Sequence, residues 1–166
     1  MKAILTGILL MITAGLVAAG TPPTMAEQLL GQYYLIQRSL ASDSIEGVSA
    51  SAAKMADISR RAAAADPQDK TPLTAIANAA SKLRATGLKS ARNGFGELSD
   101  SLIGYLLATQ AKRNPPYQFY CPMVKKYWLQ PGKETRNPYY GSFMLKCGEL
   151  IPSSQAADQH TEHDNH

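Results

Sequence analysis

The sequence predicts an all-α protein: an up-down four-helix bundle with a C-terminal module of aromatic loops and short strands. Three observations predict it. Residues 27–111 are rich in alanine, and their apolar side chains recur at intervals of three and four, the mark of amphipathic helices. The breaks between these runs are short, which favours antiparallel neighbours. Residues 112–150 lose the helical period and hold eight aromatic residues punctuated by proline and glycine.

The elements follow in chain order. Met1-Lys2 is a short basic start, and residues 3–19 are uncharged and mostly apolar. Small residues follow, with cleavage points after Gly20 or after Ala26. This is the pattern of a secretory signal over residues 1–26, so the mature chain is expected in the periplasm with no membrane segment. The 140 residues that remain suit one domain, which excludes a multidomain enzyme or a polytopic transporter.

Leu29, Tyr33, Ile36 and Leu40 mark a first helix over about 27–41. Ile45, Val48, Ala52, Met55 and Ala62 mark a second over about 44–65, with Ser59 as an interruption. Asp43 followed by Glu46 has the form of a capping box before it, and Asp66-Pro67 closes it. Thr71-Pro72 opens a third helix over about 72–86, with Leu73, Ile76, Ala80 and Leu83 on one face and proline in the first turn. Gly87 fits a C-terminal stop. Phe95, Leu98, Leu102, Tyr105 and Thr109 mark a fourth helix over about 91–111, ended by Asn114-Pro115-Pro116.

Charge is uneven along the chain. Residues 27–111 hold nine basic and eight acidic side chains. Residues 112–148 hold seven basic side chains and only Glu134, while residues 149–166 hold four acidic side chains and no Lys or Arg. For an exported protein this points away from nucleic acid and toward a solvated face or an acidic docking partner.

The chemistry gathers in the basic segment. Cys121-Pro122-Met123 and Met144-Leu145-Lys146-Cys147 place both cysteines and two of the three mature methionines within 27 residues. Thiolate and thioether are soft donors, suited to Cu(I) or Ag(I). Hard cations would want carboxylates. The candidate ligands are therefore Cys121, Met123, Met144 and Cys147, with no ion needed for folding. The alternative is a Cys121–Cys147 disulfide, worth roughly 3–4 kcal/mol in the chain-entropy model, in a metal-free interaction module. Lys125, Lys126 and Lys146 flank the site, and positive charge there opposes a bound cation. Residues 151–166 read as a flexible acidic tail, in which His160, His163 and His166 form a weak secondary metal site. No motif for catalysis is present: no histidine precedes the tail in the mature chain to serve either cysteine as a base, so an enzyme is not expected.

The residues also carry a resemblance. Cys121-Pro122-Met123, Trp128-Leu129, Asn137-Pro138-Tyr139-Tyr140-Gly141, Met144 and Cys147-Gly148 resemble an uncharacterised helical domain family of exported bacterial proteins. That family is also fused to periplasmic adaptors of CusB-type heavy-metal efflux systems. Tyr34-Leu35-Ile36-Gln37, Gly47-Val48 and Phe95-x-x-Leu98-Ser99-x-x-Leu102-Ile103 extend the similarity, so that it covers about residues 28–149. The resemblance implies a copper- or silver-binding protein of heavy-metal efflux or resistance. Its partner would be an efflux adaptor or another metal-handling protein, and its ligands Cys121, Met123, Met144 and Cys147. The chain has no room for an adaptor's hairpin, lipoyl-like or barrel domains, and so would not itself bridge a pump to an outer-membrane channel.

Overall fold

The computed structural model describes residues 22–83, 86–109 and 115–152. Most of the expected signal segment, and the expected tail with its three histidines, lie outside the described residues. Four helices come first: α1 (Met25–Ala41), α2 (Val48–Ala65), α3 (Lys70–Lys82) and α4 (Leu88–Ala108). Consecutive helices pack on one another, and α1 also touches α4. Three strands follow: β1 (Tyr117–Cys121), β2 (Lys126–Gln130) and β3 (Glu149–Ile151), with a 3₁₀ turn at Gly141–Met144 before β3. They form one antiparallel sheet in the order β2-β1-β3. The all-α expectation is thus overturned: the chain is mixed helix and sheet. The reason is main-chain hydrogen bonding. Glu149–Ile151 is only three residues long, too short to show an alternating pattern, yet it pairs with Gln118–Tyr120. No described helix is long and apolar enough to cross a membrane.

The helix ends differ from the sequence reading in instructive ways. The capping box of this chain is Thr24–Glu27. The Thr24 hydroxyl accepts from the Glu27 amide at 3.2 Å, and the Glu27 carboxylate accepts from the Thr24 amide at 2.7 Å. This satisfies two otherwise unpaired donors at the start of α1. A cut after Ala26 would remove that cap; a cut after Gly20 would keep it. Asp43 does not cap α2, which starts five residues later at Val48, behind Gly47 at φ +72°. Gly87 is not a stop for α3 but the residue preceding α4. Ser59, which interrupts the apolar run by residue type, lies fully buried within α2.

The core is continuous from the helices into the sheet. Its spine is aromatic. Tyr33 of α1 stacks on Phe95 of α4 at 5.0 Å between ring centres, and Phe95 meets Tyr139 at 5.8 Å. Tyr139 meets Trp128 edge-on at 6.1 Å, and Trp128 stacks on its cross-strand partner Phe119 at 5.1 Å. Offset and edge contacts of this kind add to the large area each ring buries. The Tyr33 hydroxyl is buried and shares a 2.7 Å hydrogen bond with Ser99 of α4. It also accepts from the Leu129 amide of β2 at 3.1 Å. One oxygen therefore joins α1, α4 and the sheet, and burial raises the Tyr33 phenol far above its ordinary ionisation range.

A second, more exposed joint lies at Asp43, which adopts φ 56° in the α1–α2 connection. Its carboxylate accepts from Arg92 Nη2 at 2.6 Å and from the Ser142 amide at 2.9 Å. Arg92 also donates to the carbonyls of Leu40 and Pro138. Gly141 has φ +57°, and a Cβ there would collide with the Asp43 carboxylate and the Arg92 guanidinium. Glycine is what lets the two chains approach. Hydrogen bonds from Ser142, then from Arg92, hold the Asp43 carboxyl down to about 2 from its ordinary 3.8.

Two outcomes follow from these joints. Tyr33→Phe should cost about 1–3 kcal/mol in urea unfolding, because it strands the buried Leu129 amide and Ser99 hydroxyl. Asp43 contributes its stabilisation above its ordinary pKa and loses it as pH falls toward its depressed value. The melting temperature should therefore fall through that window, and Asp43→Asn should flatten this part of the acid profile.

Candidate functional site

The soft donors cluster around one end of the sheet. Cys121 is the last residue of β1 and is fully buried. Pro122–Lys125 form the hairpin turn to β2, with Lys125 at φ 51° closing it. The antiparallel register pairs Tyr120 with Glu149, so the chain entering β3 runs beside the end of β1. Cys147 lies in that entering segment, half-buried, and its amide donates to the Met144 carbonyl at 3.0 Å. Met144 ends the 3₁₀ turn and is also half-buried. Met123 sits at the tip of the hairpin and is 60% exposed.

Asn137 organises this cluster. Its side chain is buried, and its Nδ2 donates both to Cys121 Sγ at 3.3 Å and to the Cys147 carbonyl at 2.7 Å. Its Oδ1 accepts from the Tyr139 amide at 2.8 Å. Its main-chain amide donates to Leu145 O at 2.8 Å, and its carbonyl accepts from the Gly141 amide at 3.1 Å. Every hydrogen-bonding group of this residue is used, as a buried amide requires. Asn137 was noted in the sequence only as part of a motif. Its role could have been suspected from Asn-Pro, a turn-forming pair, but its reach to both cysteines has no local signal.

The loop between β2 and Asn137 is held in the same manner. Gln130 accepts from the Trp128 indole N–H at 3.0 Å and from the Arg136 amide at 3.2 Å. Its Nε2 donates to the Gly132 and Glu134 carbonyls. The Arg136 carbonyl accepts from Gln37 of α1 at 2.7 Å. The Tyr139 hydroxyl donates to the Tyr127 carbonyl at 2.6 Å, which ties the returning loop to β2.

Both thiols are free in this structure, so the expected alternative, a Cys121–Cys147 bridge, is not formed. The two cysteines are not close: Asn137 bonds the sulfur of Cys121 but only the main-chain carbonyl of Cys147, and the Met144 carbonyl accepts from the Cys147 amide. Met123 is not drawn into the cluster and points its exposure to solvent. Among the described residues no group of three or more His, Cys, Asp or Glu side chains gathers as a metal site, and His160, His163 and His166 lie outside them. Two of the three flanking lysines have carboxylate partners that sequence order did not reveal. Lys126 pairs with Asp100 of α4 at 3.0 Å, and Lys146 pairs with Glu134 at 3.3 Å. These pairs are partly or largely exposed and contribute little to stability, but they reduce the positive field near the thiols. Lys133 instead lies over the Tyr117 ring. Elsewhere two open depressions lie against α2 and α3 and the chain that flanks them; one is lined by Ser49, Ala53, Arg60 and Ser81, the other by Arg60, Pro67, Lys70 and Thr74. Neither contains a soft donor.

No protein-family model, curated protein or solved structure matches this chain.

Gly148 completes the frame of the site. It has φ +153°, and a Cβ there would collide with the six-membered ring of the Trp128 indole. Gly148→Ala should therefore push the Cys147 segment off the tryptophan. The expected cost is about 1–3 kcal/mol, read as a lower urea midpoint, with a larger effect on β3 amide protection than on the helices.

Proposed function

We propose that this chain is an exported, periplasmic protein that binds a soft monovalent metal ion, Cu(I) or Ag(I), in heavy-metal efflux or resistance. The observation that carries the reading is that both thiols are open in one module, where the Cys121 sulfur and the Cys147 carbonyl accept from the same Asn137 amide. Two thiolates suffice for a low-coordinate Cu(I) centre, and a thioether suits a third position. Met144, whose carbonyl accepts from the Cys147 amide, would supply that thioether. Met123, exposed at the hairpin tip, is placed for exchange with a partner rather than for holding the ion. That partner is an efflux adaptor or another metal-handling protein, to which the ion passes by ligand substitution. The role is one of binding, not catalysis.

The resemblance to the efflux-associated domain family supports the same reading. Its residues fall mostly on the frame of this site: Asn137, Pro138, Tyr139, Gly141 and Gly148 are the groups that shape it.

A second reading has an observation in its favour. Phe143 is 83% exposed, and Met123, Val124 and Leu150 are exposed as well. Apolar side chains in water on one module suit a docking module for another protein, here without the expected disulfide staple.

Anaerobic Cu(I) titration against a competing chromogenic chelator tests the first reading. The wild-type chain should bind one ion, and Cys121→Ser and Cys147→Ser should each weaken it by more than about 100-fold. Met123→Ala should weaken it less. Full affinity in both cysteine variants would reject the thiol site, and no Cu(I) binding by the wild-type chain would leave the docking module.

A further inference from the structure

We propose that signal peptidase cuts the exported chain between Gly20 and Thr21, not after Ala26, so that the mature protein keeps the Thr24 cap. The inference rests on the export reading and on no part of the metal reading. Both bonds follow small residues in the sequence. Ala18 and Gly20 stand third and first before one, Thr24 and Ala26 before the other. The fold of α1 separates them.

The Ala26–Glu27 bond lies inside the first turn of α1. Met25 and Ala26 are the first residues of that helix, and both pack against the core. Thr24 holds the turn in three ways. Its hydroxyl accepts from the Glu27 amide, its amide donates to the Glu27 carboxylate, and its carbonyl accepts from the Gln28 amide at 3.0 Å. One residue earlier, the Pro23 carbonyl accepts from Gln28 Nε2 at 3.1 Å. A cut after Ala26 would delete every one of these partners. It would also place a free ammonium on Glu27, at the positive end of the helix dipole. Leu29, which is fully buried, would then stand two residues from a chain end that frays. A cut after Gly20 costs the domain none of this. Pro22 and Pro23 have no amide N–H, so this short lead into the cap adds no donor in need of a partner. The step is a hydrolysis: water adds across the Gly20–Thr21 peptide bond, leaving a carboxylate on Gly20 and an ammonium on Thr21.

The test expresses the full chain in a Gram-negative host, recovers it from the periplasm, and reads its start by intact mass and N-terminal sequencing. The recovered chain should begin at Thr21. A chain that begins at Glu27, or at any other residue, would overturn the proposal and leave export standing. An uncut chain would overturn both. Thr24→Ala gives a second readout, because it is visible only if Thr24 is kept. The recovered variant should then be lighter than wild type by one CH2O unit. Its urea midpoint should fall by about 0.5 M, the order expected for loss of a helix cap. Identical masses, or equal midpoints, would overturn the proposal.

Discussion

The C-terminal module depends on its contact with the helices. Residues 115–152 hold too few apolar side chains to bury a core alone, and chains of about this length seldom fold unaided. The aromatic column from Tyr33 through Phe95, Tyr139 and Trp128 to Phe119 supplies what is missing. Half of its first contact comes from each of α1 and α4, and the rest from the module. The Tyr33 hydroxyl adds direction to a contact that apolar burial alone would leave free to slide. Ser99 and the Leu129 amide both converge on that oxygen, which sets where the sheet sits on the helices. The position of the thiols is a consequence of this docking.

Much of the helical part was legible in the sequence. The faces led by Leu29, Leu73 and Phe95 are buried as their spacing implied, because burial of one stripe is what helical periodicity encodes. The ends were less legible. Asp43 and Glu46 have the spacing of a cap, but the Asp43 carboxylate is taken by Arg92 and Ser142, respectively 49 and 99 residues away in the chain. A tertiary partner outbid a local one, and nothing within a few residues of Asp43 signals it. The sheet was read only as short strands among loops. Its third strand, Glu149–Ile151, is defined by its partner β1 rather than by its own composition, as is common for strands.

For the site, sequence spacing found both cysteines and placed them in one module. It did not find the residue tied to the sulfur of one and the main chain of the other. Asn137 reaches Cys121 over 16 positions and Cys147 over 10, so only the fold makes them neighbours. The spacing also placed Met123 and Met144 as equals, whereas the hairpin exposes Met123 and the 3₁₀ turn half-buries Met144. The lysines were read by charge alone; Asp100 and Glu134 change that reading by proximity. Asn137, Pro138, Tyr139, Gly141 and Gly148 build much of the frame. Their identity is accounted for by packing and hydrogen bonding before any ligand is considered.

Trp128 is the only tryptophan in the chain. It is fully buried, its N–H is bound to Gln130, and Gly148 lies against its six-membered ring. The residue adjoining that glycine is Cys147. The molecule thus contains its own optical reporter, a single indole pressed against the segment that carries one of the two thiols. Movement of that segment alters the packing and polarity around one fluorophore, with no helix contributing a competing signal. Events at the thiols are thereby observable in the unlabelled protein, at a wavelength to which the rest of the chain contributes little.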